Sequence, residues 1–240
     1  MAPEPHEEML KQLLSPSTHP LFSLPVSPCK PIIDSSRISD LSLHPVLESL
    51  LHILNLDLPS AHFLLRHMQA APAYEAMYLH GILHRIEGDL DNTRAWYRDV
   101  QDSDVFRAVW SGEGSGFGGG DEDVTRDQQA HSSIADDATT DKDSENAAPG
   151  TNSMKVPIER ALSFIDQLAR ARAPIRSGHI APASLIHTSL DELSRVWQFC
   201  KEKFGTEPVV EASNVWVSMA EKNADIAEKM ITGGEGWREF

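Results

Sequence analysis

"YLHGILHRIEGDLDNTRAWYRDV", Tyr78 to Val100, decides how the chain is built. As far as Glu87, its apolar residues Leu79, Ile82, Leu83 and Ile86 recur at three- and four-residue steps, the period of one helix face. Gly88 then suits the left-handed conformation that ends a helix, and Asp89 is placed to bind the free amides that begin the next. The stretch therefore predicts two helices, one from near Pro72 to Glu87 and one from Leu90 to about Val100. Gly81, seven residues before Gly88, lets the two helices approach, and Trp96 or Tyr97 fills the gap between them.

Upstream, Met9, Leu10, Leu13 and Leu14 mark one side of a short helix over 4–14. Prolines 16, 20, 25, 28 and 31 forbid a long helix in the next segment, which is expected to lie extended. Val46, Leu47, Leu50, Leu51 and Leu54 predict a helix after Pro45, and Asp57 or Ser60 caps another with Pro59 in its first turn. Downstream, residues 111–153 are rich in Gly, Ser, Asp and Ala and cannot bury enough apolar area to offset chain entropy, so this segment is expected to be a disordered acidic spacer. Beyond it, Ile158, Ala161, Leu162, Ile165 and Leu168 form the stripe of an amphipathic helix. A long helix stopped by Gly205 and a last one stopped by Gly233 and Gly234 follow. The expected fold is all-α: an irregular helical bundle with one helical hairpin, a single domain over 44–110 and 154–240. Residues 1–43 precede it as a helix and Pro-rich segment, and 111–153 interrupt it.

The 240 residues are 40% hydrophobic, enough for a real core. A formal charge of −15 argues against a nucleic-acid partner, whose phosphates require clustered Lys and Arg. Between Ser111 and Gly150, ten acidic residues face only Arg126 and Lys142, so net −8 lies in the insert and the folded part is only mildly acidic. Cys29 and Cys200 lack metal-type spacing and suit a reducing compartment. The start "MAPEPHEEML" is unlike a secretory or transit signal, and no apolar run reaches the roughly 18 residues needed to span a bilayer. A cytoplasmic or nuclear protein without a membrane partner is expected.

The chemistry-bearing candidates lie in the hairpin. At about 100° per residue, His80, His84 and Glu87 fall together on the flank of the first helix. Imidazoles four apart can chelate a divalent metal, and a carboxylate one turn later could complete a facial set. The same side chains could equally be hydrogen-bonded packing residues. No second helix offers a matching Glu-x-x-His pair, and the His-Glu-x-x-His zinc motif is absent. Six of the eleven histidines fall between His44 and His84, the others being His52, His62 and His67, which is mild evidence for a shared pocket. Arg85, Arg94 and Arg98 lie near Glu87, Asp89 and Asp91, and would form either ion pairs across the hairpin or an anion-binding cleft. "GEGSGFGGG" lacks the Gly-Lys-Ser/Thr ending of a phosphate loop, no Gly-x-Ser-x-Gly elbow occurs, and Cys200 reads as core.

The hairpin is similar to one tetratricopeptide-type unit over about 30 residues, although Thr93 stands where that repeat has alanine and no second copy follows at an offset of about 34. The whole run, through His80, His84, Arg85, Glu87, Gly88, Asp89, Asn92, Trp96, Tyr97 and Arg98, also resembles the signature of a family of small fungal proteins with shorter bacterial relatives. The later "CKEKFGTE" and "GGEGWREF" resemble the fungal members too. The resemblance implies a fold and the place of a site, and no reaction. Two functions are expected from these residues. One is a helical module that binds a protein or peptide through the hairpin and needs no cofactor. The other is a small metal- or ligand-binding enzyme with a pocket of His80, His84, Arg85, Glu87, Asp89, Asn92, Trp96, Tyr97 and Arg98, in which His80, His84 and Glu87 hold a divalent metal.

Overall fold

Proline in the first turn, an oxygen or nitrogen side chain at the cap, or both, mark the helix starts at Pro5, Pro45, Leu58, Leu90 and Asp104, and glycine ends the helices that close at Glu87 and Phe204. A computed structural model describes residues 4–14, 30–112, 152–177 and 182–217. Among them every regular element is helical and there is no strand, so the fold is all-α. The helices are α1 (Pro5–Leu13), α2 (Ser36–Ser39), α3 (Pro45–Leu54), α4 (Leu58–Arg66), α5 (Tyr74–Glu87), α6 (Leu90–Val100), α7 (Asp104–Trp110), α8 (Asn152–Arg176) and α9 (Ala183–Phe204), followed by a 3-10 turn at Ser213–Val215.

His44, Asp57, Asp89 and Ser103 each accept a hydrogen bond from a first-turn amide of α3, α4, α6 and α7. Gly88 ends α5 with φ +92°, and its amide donates to the carbonyls of His84 and Arg85. The Asp89 carboxylate then receives the Asn92 amide at 3.1 Å. α5 and α6 thus fold back on one another, and they cross at Gly81. A Cβ there would stand 2.9 Å from Cβ of Trp96 and 3.0 Å from the Tyr97 ring.

One apolar core takes residues from both sides of the insert. It includes Leu13 of α1, Leu50 of α3, Ile82 of α5, Trp110 of α7, Ile165 of α8 and Trp197 of α9. The α1 segment is therefore packed into the same core as the helical domain. Asn55, at the end of α3, holds the chain of 32–33 through its side chain and carbonyl. Ala161, Ile165 and Leu168 of the predicted α8 stripe are buried, with Phe164 beside them.

Some elements differ from the sequence expectations. α7 and the one-turn α2 were not expected, since seven and four residues are too few to display a periodic stripe. The expected last helix does not open at Ala212: residues 213–215 form a 3-10 turn and Trp216 is extended. The rest of that helix, residues 113–151 of the spacer expected over 111–153 and the proline-rich 15–29 lie outside the described residues, while Asn152 and Ser153 belong to α8. Among the described residues, no helix is long and apolar enough to cross a membrane.

Candidate metal centre

The predicted site residues separate onto two faces of α5. His80, His84 and Glu87, spaced by four and three residues, point to one side, where α4 brings His62 against them. Arg85 and Tyr97 lie on the other side, inside the core. Asp89 and the backbone of Asn92 cap α6, Trp96 packs on the histidine side, and Arg98 is exposed.

On the histidine side, one ring nitrogen from each of His62, His80 and His84 lies within 4.8 Å of the others. Nε2 of His62 is 3.1 Å from Nε2 of His80. Nitrogens bound to one tetrahedral ion through bonds of about 2.0–2.1 Å stand roughly 3.4 Å apart, so this pair already has about ligand spacing. The His80 ring is sandwiched, stacked on His84 at 4.9 Å and on Trp96 at 4.7 Å. The His62 ring meets His80 and His84 edge-on.

Glu87 completes the arrangement. Its Oε2 is 3.0 Å from Nδ1 of His84 and its Oε1 is 3.4 Å from Nδ1 of His62. A carboxylate facing two Nδ1 atoms favours the proton on each of them, which puts the lone pair on Nε2 of each ring, that of His62 facing Nε2 of His80. Burial, with the neighbouring His84 and Arg66, holds the His62 imidazole down at about 3. Burial, with His62, His84 and Arg66, keeps His80 well below the ordinary range. Both rings are therefore neutral at physiological pH, the form in which imidazole binds a metal. His80 and His62 are 4% and 5% exposed, so an ion held here would be largely shielded from water.

The opposite face of α5 holds a buried polar network. Arg85 pairs with Glu192 of α9 and donates to the Tyr97 hydroxyl at 3.2 Å and to Ser189 Oγ at 3.0 Å. The hydroxyls of Tyr78 and Tyr97 both donate to Glu192 Oε1, and the Trp110 indole donates to the Tyr78 hydroxyl. Burial opposes the charge on Arg85, yet the adjacent Glu192 raises its pKa above the ordinary value. Burial, and then Glu192, pushes both tyrosines well up. Every group is enclosed, so this network joins α5, α6, α7 and α9 and offers no face to a ligand. The ion pairs expected across the hairpin are different in kind: Arg94 reaches the exposed Asp91 and Asp166, and Arg85 turns away from Glu87 altogether.

His62 and Glu192, like Tyr78, Ser189 and Trp110 of the buried network, are not among the candidates read from the sequence. His62 was noted only as one of six clustered histidines, and that clustering was its signal. Glu192 had none of its own, although Tyr78, Ile82 and Arg85 at i, i+4 and i+7 already placed an arginine on a core stripe that would require a buried acid. Neither a protein-family model, a curated protein nor a solved structure matches this chain, so the site is understood from its own geometry.

Proposed function

We propose that this is a metal-binding helical protein in which His62, His80 and His84 hold one late first-row divalent ion, Zn²⁺ foremost. The observation that carries the reading is the Glu87 carboxylate, which faces Nδ1 of both His62 and His84 and so favours the lone pair on Nε2 of each. Three neutral nitrogens and no thiolate suit Zn²⁺, Cu²⁺ or Ni²⁺ and disfavour Mg²⁺ and Ca²⁺, which prefer oxygen. Three protein ligands leave a fourth position for water or a small ligand, the arrangement from which a hydrolytic or hydration enzyme would work. Glu87, expected from spacing to be a ligand, acts in this reading as the group that orients two of them. The fungal-family resemblance belongs to the same proposal, since His80, His84 and Glu87 are part of that signature.

The test is elemental analysis of untagged protein together with His62→Ala and His84→Ala. Stoichiometric metal in the wild type that is lost in both variants, with helix content unchanged, supports the reading. No metal in the wild type, with either variant only lowering stability by about 1–3 kcal/mol, would leave the histidines as packing residues.

A second reading, a protein- or peptide-binding module of the cytoplasm or nucleus, draws on Phe63 of α4, which keeps 57% of its surface exposed. Peptide-display selection on wild type and Phe63→Ser tests it: binders that depend on Phe63 support the module, and their absence removes it. The free thiol of Cys200 fits the reducing compartment that this reading assigns.

A further inference from the structure

The contact between His62 and His80 carries more than ligand spacing. Two imidazole nitrogens 3.1 Å apart in a buried place share one proton: one is the donor and the other the acceptor. Glu87 decides which is which. Its carboxylate stands 3.4 Å from Nδ1 of His62 and favours the hydrogen on that atom, which assigns the acceptor role to Nε2 of His62. The shared proton is therefore on Nε2 of His80. Nδ1 of His80 is then a bare lone pair, and this atom is buried without a hydrogen-bond partner. Stacking of the ring between His84 and Trp96 opposes its turning over to exchange the two nitrogens.

An ion bound to Nε2 of His62 and Nε2 of His80 needs both lone pairs, so it competes with that hydrogen bond for the same place. We infer that His80 gates the site: metal entry drives its proton from Nε2 to Nδ1, and the ion is consequently exchangeable, not a structural ion on which folding depends. This inference rests on the metal-binding reading above. The atoms balance within one ring, because Nε2 gives a proton to solvent, Nδ1 takes one from solvent, and the imidazole stays neutral before and after. Two features of the site act in the same direction. The His62–His80 hydrogen bond satisfies both Nε2 atoms without an ion, so the helices have no need of one to pack. The loaded form instead places an N–H donor at His80 Nδ1 where no acceptor stands, which weakens retention of the ion.

The experiment uses the full chain, labelled with ¹⁵N-histidine, and Zn²⁺ with EDTA as the competing chelator. Nitrogen chemical shifts should show His80 protonated at Nε2 in EDTA and at Nδ1 with Zn²⁺. Circular dichroism and cooperative thermal unfolding should persist in EDTA, and Zn²⁺ should return to full occupancy on re-addition. Because Trp96 stacks on His80, loading should also change tryptophan fluorescence, and Trp96→Phe should abolish that change while Zn²⁺ still binds. His80 found protonated at Nδ1 in both conditions would overturn the gate, as would Zn²⁺ that leaves only when the helices unfold. Those results would leave the metal-binding reading standing. Failure of Zn²⁺ to bind under any condition, with the His80 shifts unmoved, would instead remove that reading and this one together.

Discussion

Arg85 of α5 and Glu192 of α9, 107 positions apart in the chain, form an ion pair with side-chain exposures of 1% and 0%. Four neighbours complete it: Tyr78, Tyr97, Ser189 and, through Tyr78, Trp110. A pair so enclosed stands only while both charges are present. Removing one by Arg85→Met or Glu192→Leu should cost about 3–5 kcal/mol, because the remaining charge is buried alone. The double variant should cost clearly less than the sum of the two. Urea unfolding of the three variants measures this, and additive losses would show that the partners do not depend on one another.

Glu87 should matter to metal affinity more than to stability. Glu87→Gln keeps the shape of the side chain but removes the charge that faces the two Nδ1 atoms. Zn²⁺ affinity, read by competition with a chromophoric chelator, should fall by about 10–100-fold. Arg98→Ala, at an exposed position on α6, should leave affinity unchanged.

Gly81→Ala tests the helix crossing. The added methyl group would meet Cβ of Trp96 at 2.9 Å, next to backbone that cannot swing away. Overpacking of about 1–3 kcal/mol should outweigh the roughly 1 kcal/mol that alanine gains over glycine in a helix. The expected result is a net loss of up to about 2 kcal/mol in chemical denaturation.

His44 should give stability a dependence on mild acid. Its Nδ1 accepts the Val46 amide at 3.3 Å and its ring stacks on Phe204 at 3.9 Å. Burial, reinforced by Lys203, lowers its pKa to about 4. Below pH 6.5 the unfolded chain takes up this proton before the folded one does. The contribution is therefore complete above pH 6.5 and is lost as pH falls toward about 4. The ring is partly exposed, so solvent screening should keep the loss at pH 5 below about 1 kcal/mol. His44→Asn retains a capping acceptor without the titration, and wild type should lose more stability than this variant between pH 7 and pH 5.

Asp89→Ala should cost about 1 kcal/mol by removing the acceptor for the Asn92 amide, with metal affinity unaffected. Thermal unfolding and the same chelator competition measure the two effects.

The hairpin was legible because its causes are local. The left-handed turn at Gly88, the cap at Asp89 and the bare backbone at Gly81 act within a few residues of themselves, and so does the three-and-four spacing that sets His80, His84 and Glu87 on one flank. The expected pocket grouped Arg85 with that flank, and the structure turns it into the core instead, to Glu192. Only the packing of helices decided the rest. His62 reaches the flank because α4 lies against α5, and Glu192 reaches Arg85 because α9 returns to the core after the insert. A sequence states which faces seek burial, since that depends on period and polarity. It does not state which distant group will meet them, since that depends on how all the helices share one interior.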